Sequence, residues 1–231
     1  VTMQSIVSHC LYAGPGVNAY FNRVIVLGSG KRGVDFRSDN IYPYAAKFQI
    51  FKNCGNAPGA VSLDKEYGSG TAAPQWHLWG QGVPTVIVDS CQLPAGDWQG
   101  NFAISNTTMI NGGNGTNVWG NATYNNCKGE ITSSGKTVIT NSAATIKVMS
   151  GADITCTNSS IGLYHPFPST HFKATFSKCN IGEFDIKATN FKVLFDNCNF
   201  RNQYGSIRLF GKVMQMDDIE FIGNSYPIST Y

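Results

Sequence analysis

The chain has 231 residues, a net charge of +3 and only 13% charged residues, about half the ~25% of an ordinary globular domain. So small and dispersed a charge argues against nucleic-acid binding. No stretch approaches the roughly 20 apolar residues that cross a bilayer, so membrane insertion is not expected. We expect one domain over residues 1–231, cut from a longer protein, because the chain opens at Val1 without an initiator Met.

The cysteines follow a local pattern. Their number, seven, is odd and excludes a fully paired disulfide framework. No CxxC or Cys/His cluster indicates zinc, so we predict neither metal nor cofactor. Six cysteines end a segment made of an apolar residue, two mostly polar residues and Cys, as in Val7-Ser-His-Cys10, Phe51-Lys-Asn-Cys54, Val88-Asp-Ser-Cys91, Tyr124-Asn-Asn-Cys127, Phe176-Ser-Lys-Cys179 and Phe195-Asp-Asn-Cys198.

Serine takes the place of Cys in similar segments that end at Ser142, Ser159 and Ser225. The polar pair predicts a bend, and asparagine tolerates the left-handed backbone that such a bend requires. The asparagines concerned are Asn53, Asn126, Asn141, Asn158 and Asn197. After the bend, the small residue returns to the interior, where thiols pack as small hydrophobes.

Between Pro58 and Pro84 the pattern stops, and this segment predicts a long loop that projects from the fold. Loops of this length commonly carry function. Two acids and three ring side chains in this segment suit a sugar cleft, because indole faces stack on pyranose rings and carboxylates bind hydroxyl groups. The alternative is that the tryptophans fasten the loop to the core. The predicted site residues are Asp64 and Glu66 as catalytic acids, with Trp76, His77, Trp79 and the later Trp98 as substrate-binding residues.

Farther along, two segments repeat. Phe172-Lys-Ala-Thr-Phe176 and Phe191-Lys-Val-Leu-Phe195 lie 19 residues apart, and Ala152-Asp-Ile-Thr-Cys156 precedes the first by 20. A period near 20 with short strands is typical of a solenoid whose turns stack to bury a common core. Strand alternation places Phe176 and Phe195 inside and Lys173 and Lys192 outside. The alternative is an ordinary β-sandwich in which the cysteines recur by chance.

Glu183 and Asp185 are a further pair of candidate catalytic acids. If Phe184 and Ile186 point inward, both acids point outward on one strand face, with their Cα atoms about 6.6 Å apart. Glycosidases hold two carboxyl groups about 5–9.5 Å apart. The alternative is a solvated acidic face balanced by Lys187 and Lys173.

The turns written FKNCGN, YNNCKG and FDNCNF, with the wealth of Asn, Ser, Thr and Gly, make the chain resemble pectate-lyase-like right-handed parallel β-helix proteins, and most of all bacteriophage tailspikes. The resemblance covers nearly the whole chain. It is one of architecture, so it transfers no catalytic residue. It implies a homotrimeric, extracellular, virion-borne protein of the phage tail that binds and often cleaves a surface polysaccharide of the host bacterium.

We therefore predict an all-β, right-handed parallel β-helix that hydrolyses capsule, O-antigen or exopolysaccharide. Three alternatives stay open: a non-catalytic receptor-binding or structural β-helix, a bacterial surface adhesin, and a polysaccharide lyase. A lyase needs a Lys or Arg base together with acids or Ca²⁺, and no acidic cluster of the sequence resembles a calcium site.

Overall fold

The computed structural model describes residues 2–4, 11–13, 19–29, 34–38, 48–62, 76–94, 96–110, 116–164, 171–186, 190–200, 207–209 and 219–222. These residues form an all-β solenoid in which 23 strands belong to one sheet and every strand pairing is parallel. The described residues contain no helix, and hence no helix long and apolar enough to cross a membrane. The parallel stacked fold predicted from the repeat is confirmed.

One face of the solenoid, face A, is a continuous stack of ten described strands or strand halves. In stacking order these are β3 (Ala19–Asn22), β6 (Phe48–Lys52), the second halves of β8 (Trp76–Asp89), β10 (Asp97–Ser105) and β12 (Thr116–Asn125), then β14 (Lys136–Thr140), β16 (Ala152–Thr157), β18 (His171–Ser177), β20 (Asn190–Asp196) and β23 (Ile219–Ile222).

Face B follows face A across a corner in each turn. Its stack is β1 (Thr2–Gln4), β4 (Ile25–Ser29), β7 (Gly55–Ser62), β9 (Gln92–Pro94), β11 (Thr108–Ile110), β13 (Lys128–Ser133), β15 (Ala143–Val148), β17 (Ser160–Tyr164), β19 (Asn180–Ile186) and β21 (Asn199–Phe200). A third series comprises β2 (Leu11–Ala13), β5 (Val34–Ser38) and the first halves of β8, β10 and β12. From β12 the series continues onto the second halves of β13, β15, β17 and β19, and β22 (Ile207–Leu209) pairs with the second half of β19.

The register confirms the predicted repeat. Ala152 pairs with Phe172 and Phe172 with Phe191, as the offsets of 20 and 19 residues require. Phe176 and Phe195 are fully buried, whereas Lys173 and Lys192 are exposed. The alternation of apolar and polar residues therefore sets which side chains enter the core.

The corner between faces A and B has a left-handed residue in nine described turns, including all five predicted asparagines; these residues are Arg23, Asn53, Ser90, Asn106, Asn126, Asn141, Asn158, Lys178 and Asn197, with φ between 50° and 57°. Asparagine suits the position because its short amide side chain tolerates this backbone. It also bonds between turns: the Asn126 side-chain amide donates to Asn106 Oδ1 at 2.8 Å.

The small residues after several bends form hydrogen-bonded ladders. The Cys127 backbone N–H donates to Ser142 Oγ at 3.0 Å, and the Ser142 N–H donates to Ser159 Oγ at 3.1 Å. The Cys54 N–H likewise donates to the Cys91 sulfur at 3.3 Å. Thr107 Oγ1 also accepts, from the Cys91 N–H at 3.3 Å. Each of these side chains accepts a backbone N–H inside the core, which explains why Cys, Ser and Thr recur there.

Both described parts of the predicted projecting loop (58–84) are strands of the column. Strand β7 continues to Ser62, and β8 begins at Trp76 and pairs with β5 through Gly80. Residues 81–84 lie between the halves of β8 that pair with β5 and with β6. Residues 63–75, the middle of the predicted loop, lie outside the described residues.

One polar atom in the core has no hydrogen-bond partner among the described residues: the hydroxyl oxygen of Tyr124, whose side chain is 2% exposed. Burial also raises the pKa of this hydroxyl group. A buried hydroxyl without a partner destabilises the folded state by about 1–3 kcal/mol.

Tyr124→Phe is therefore expected to raise the free energy of unfolding by about 1 kcal/mol, because Phe fills the same space without a polar atom. Chemical denaturation of the two proteins measures the difference. A Tyr124→Phe variant less stable than the parent would show that the hydroxyl has a partner.

A carboxylate organises one corner of the column. Asp89 Oδ1 accepts hydrogen bonds from Ser90 Oγ, Ser105 Oγ and the Asn106 side-chain amide at 2.9–3.1 Å, and Lys52 Nζ lies 3.8 Å from Oδ2. These hydrogen bonds, that of Asn106 above all, lower the pKa of Asp89. Because the folded-state pKa is depressed, the stabilisation is present above the ordinary value of about 3.9 and is lost as the pH falls below it.

Asp89→Asn is expected to lower the free energy of unfolding by about 1 kcal/mol at neutral pH. The difference from the parent should shrink as the pH falls below about 4, where the parent carboxylate becomes protonated. Denaturation at a series of pH values measures it. A difference that stays constant with pH would exclude the charge of Asp89 as its cause.

Candidate functional site

A groove of about 500 Å³ lies on face B and crosses β13, β15, β17 and β19. Four successive strands at about 4.8 Å give it a length of roughly 14 Å along the column. Its lining combines carboxylates, hydroxyls, small residues and one aromatic ring, supplied by Gly129, Glu130, Ala143, Ala144, Thr145, Ser160, Ile161, Gly162, Leu163, Tyr164, Gly182, Glu183 and Asp185.

Strand register places the groove residues in rows. Glu130 pairs with Thr145, and Thr145 pairs with Gly162. One outward row therefore presents a carboxylate, then a hydroxyl group, then the backbone of a glycine that has no side chain. The groove is concave here because small residues follow one another on successive strands. At Gly129 (φ 119°) a Cβ atom would lie 2.1 Å from the Met109 carbonyl oxygen, so the backbone itself forms that part of the surface.

A β-bulge positions Glu183. Ile161 pairs with Ile181 and Leu163 pairs with Phe184, so Gly182 and Glu183 together stand opposite the single residue Gly162. Ile181 and Phe184 are both buried, whereas Glu183 is exposed. Bulges bend a strand and redirect a side chain, and they are frequent beside active sites. Here the bulge directs a carboxylate into the groove.

Asp185 lies two residues farther along β19, again on the outward side, and is partly buried. Its register neighbour on β17 is Tyr164, whose side chain is 43% exposed. The groove thus has two carboxylates on one strand and an accessible aromatic ring beside the second. Such a surface can stack a ring on the apolar face of a sugar while carboxylates accept hydrogen bonds from its hydroxyl groups.

The predicted acid pair Glu183 and Asp185 does point outward together, with Phe184 and Ile186 buried between and beside them. The second predicted pair, Asp64 and Glu66, lies outside the described residues. The structure describes the backbone of His77 and Trp79 within β8 and not their side chains.

The tryptophans Trp76 and Trp98 lie in the core, each 0% exposed. The Trp76 indole N–H donates to Asn56 Oδ1 at 2.8 Å, and the Trp98 indole N–H donates to the Trp76 carbonyl oxygen at 3.1 Å. Trp98 also stacks on Phe102, with ring centroids 5.6 Å apart. Neither indole presents a face to solvent, so the substrate-binding role predicted for them has no surface to act on in this structure.

Sequence reasoning missed Glu130 and Tyr164. Tyr164 comes shortly before two prolines, Pro166 and Pro168, yet it is the last residue of β17. Glu130 lies three turns before Glu183, and only the register β13–β15–β17–β19 brings the two acids to one groove. Aligning successive turns by their buried residues would have placed both side chains on this face.

Among the residues the structure describes, no group of three or more His, Cys, Asp or Glu side chains could hold a metal ion. Comparisons with protein-family models, curated proteins and solved structures gave no match.

Proposed function

We propose that the chain binds and hydrolyses a bacterial surface polysaccharide, such as capsule, O-antigen or exopolysaccharide, as part of a phage tailspike-type protein. In this proposal the solenoid is right-handed, the protein is an extracellular homotrimer carried on the virion, and no cofactor takes part. The observation that carries the proposal is the face-B groove, in which Glu183 and Asp185 lie beside the exposed ring of Tyr164.

The shape and lining of the groove suit an extended sugar polymer. It crosses four strands along the column, so a linear ligand can contact several turns at once. Hydroxyl side chains (Thr145 and Ser160) and open backbone at Gly162 offer hydrogen bonds without demanding charge on the ligand. A ligand site of this kind combines an aromatic surface with a few placed polar groups.

Hydrolysis would use the two acids of β19. One carboxyl group protonates the glycosidic oxygen, and the other acts as nucleophile or activates a water molecule. Residues i and i+2 of a strand have Cα atoms about 6.6 Å apart, within the reach of such a pair. The lining residues named above include no Lys or Arg, the base that a polysaccharide lyase would need, and Lys147 lies beside them as the register neighbour of Tyr164.

A second candidate is a non-catalytic polysaccharide-binding protein, either a phage receptor-binding module or a bacterial adhesin. The exposure of Glu183 favours it, because the general acid of a glycosidase is commonly held in an apolar environment. The same groove would then bind the polymer without cleaving it.

The experiment that tests the proposal incubates the protein with a panel of purified capsules, O-antigens and exopolysaccharides and measures new reducing ends. We expect one of them to release oligosaccharides. Release with an unsaturated terminal sugar would indicate a lyase, and binding without release would select the second candidate. If the protein neither bound nor cleaved any polysaccharide of a broad panel, that result would contradict the proposal.

A further inference from the structure

Gly162 lies in the middle of β17, on the floor of the face-B groove. Glycine in the interior of a strand weakens the strand, and it often marks a point where another backbone or a ligand approaches closely. Thr145 is its register partner on β15, and Gly182 and Glu183 stand opposite it at the bulge of β19. Two neighbouring glycines therefore leave part of the groove floor without a side chain.

Packing explains the glycines at several other positions of the column. A Cβ atom at any of them would overlap a backbone carbonyl oxygen of an adjacent turn. These positions are Gly55, Gly96, Gly120, Gly129 and Gly135. No residue with a side chain fits there, so the fold itself requires glycine.

Gly162 and Gly182 are different, because the fold does not require glycine at either position. Neither has a positive φ. A Cβ atom at residue 162 would lie 3.5 Å from the Glu183 carbonyl oxygen and 3.6 Å from Thr145 Oγ1. A Cβ atom at residue 182 would lie 3.6 Å from the Ile161 carbonyl oxygen. These are ordinary van der Waals distances, so alanine fits at both positions.

We infer that Gly162 determines the specificity of the groove, and that the space above it receives an acetyl group of the polysaccharide, carried on nitrogen or on oxygen. The inference rests on the proposed function, because that proposal assigns the groove to a polysaccharide. It adds which substituent of the polymer the groove recognises and which residue makes room for it.

Four side chains surround the space above Gly162. Ser160 and Tyr164 lie two residues before and after it on β17, on the same outward side. Thr145 and Glu183 lie on the two neighbouring strands. All four of these side chains are exposed. The space is therefore open to a ligand from outside the column.

The chemistry of these side chains suits a small uncharged group with a carbonyl oxygen. The hydroxyl groups of Ser160 and Thr145 can donate hydrogen bonds to that oxygen. The bare backbone leaves room for a methyl group, and the ring of Tyr164 offers an apolar surface for the sugar that carries it. An anionic substituent would instead meet the carboxylate of Glu183, and like charges repel.

The test measures binding of the parent, Gly162→Ala and Ala103→Val to the polysaccharide of the panel that the parent binds. The polymer is used intact, after mild alkali has removed acetyl groups from oxygen, and after N-deacetylation. We expect one of the two treatments to weaken binding to the parent about tenfold or more, the usual effect of losing one fitted group. That treatment also identifies whether the acetyl group is carried on oxygen or on nitrogen.

Gly162→Ala is expected to bind the intact polymer about tenfold or more weakly than the parent, because its methyl group occupies the space of the acetyl group. Deacetylation should then cause little further loss in this variant. The control Ala103→Val adds bulk to an outward position of β10 on face A, outside the groove, and should bind as the parent does.

Chemical denaturation distinguishes a glycine kept for a ligand from one kept for the fold. Alanine restricts the unfolded chain more than glycine does, so Gly162→Ala should unfold at a denaturant concentration equal to or higher than the parent. A Gly162→Ala variant that unfolds at a lower concentration would show that the fold requires the glycine, and would overturn the inference.

The binding measurements can overturn it in three further ways. These are a Gly162→Ala variant that binds the intact polymer as tightly as the parent, equal weakening in Ala103→Val, and a parent that binds the intact polymer and both treated polymers equally. A parent that binds no polysaccharide of the panel would contradict the proposed function, and the inference with it.

Discussion

Phe195→Ala is expected to lower the free energy of unfolding by about 3–5 kcal/mol, the usual effect of emptying a fully buried aromatic site. Phe195 is 0% exposed and contacts three other rings, those of Phe176, Phe184 and Phe200, with centroids 5.2–5.4 Å apart. These rings come from faces A and B of two successive turns, so the cluster connects both faces and both turns. Removing its central member leaves a cavity that flat strands cannot close.

The matched control is Leu194→Ala on the same strand. Leu194 points outward and is only partly buried, so its truncation is expected to lower the free energy of unfolding by less than about 1 kcal/mol. Denaturant titration of both variants measures the two differences. Similar losses for Phe195→Ala and Leu194→Ala would contradict the assignment of inside and outside on β20.

Replacing both acids of the groove is expected to have the largest effect on activity. In Glu183→Gln/Asp185→Asn, oligosaccharide release should fall by at least 10²–10⁴-fold, the usual contribution of a positioned acid or base. Binding of the polymer should persist, because amides fill the same space and still hydrogen-bond hydroxyl groups. The measurement combines the rate of formation of reducing ends with a binding assay on the same polysaccharide.

The control is Glu220→Gln, an exposed acid on face A, outside the groove. It is expected to leave the rate of release as in the parent. Unchanged release in Glu183→Gln/Asp185→Asn would remove these residues from the mechanism. If release were then lost in Asp64→Asn/Glu66→Gln, the reaction would belong to the segment between β7 and β8.

The regular part of the fold was predictable because local chemistry determines it. The left-handed bend needs Asn or a similar residue, the next position needs a small side chain, and strand alternation fills the core; Asn126, Cys127 and Tyr124 show all three within one corner. Each requirement acts over a few residues and repeats in every turn. A single sequence therefore suffices to predict the stacking and the 19–20-residue register near β18 and β20.

The groove was only partly predictable because it depends on register between turns. Alternation along one strand was enough to place Glu183 and Asp185 outward. The bulge at Gly182 and Glu183, and the arrival of Glu130 and Tyr164 in the same groove, come from pairings across β13 to β19 that no local pattern specifies. Trp76 was wrongly placed on the surface because the local pattern breaks near it. In the structure Trp76 is the first residue of β8, and its side chain is buried in the core.

The most direct test of the proposed function is a crystal structure of Glu183→Gln/Asp185→Asn with an oligosaccharide from the polymer it binds. We predict sugar units along the face-B groove, one stacked on Tyr164, with a glycosidic oxygen within hydrogen-bonding distance of the residue 183 side chain. Sugar density on another face of the column, with the groove empty, would contradict the assignment of this groove as the polysaccharide site.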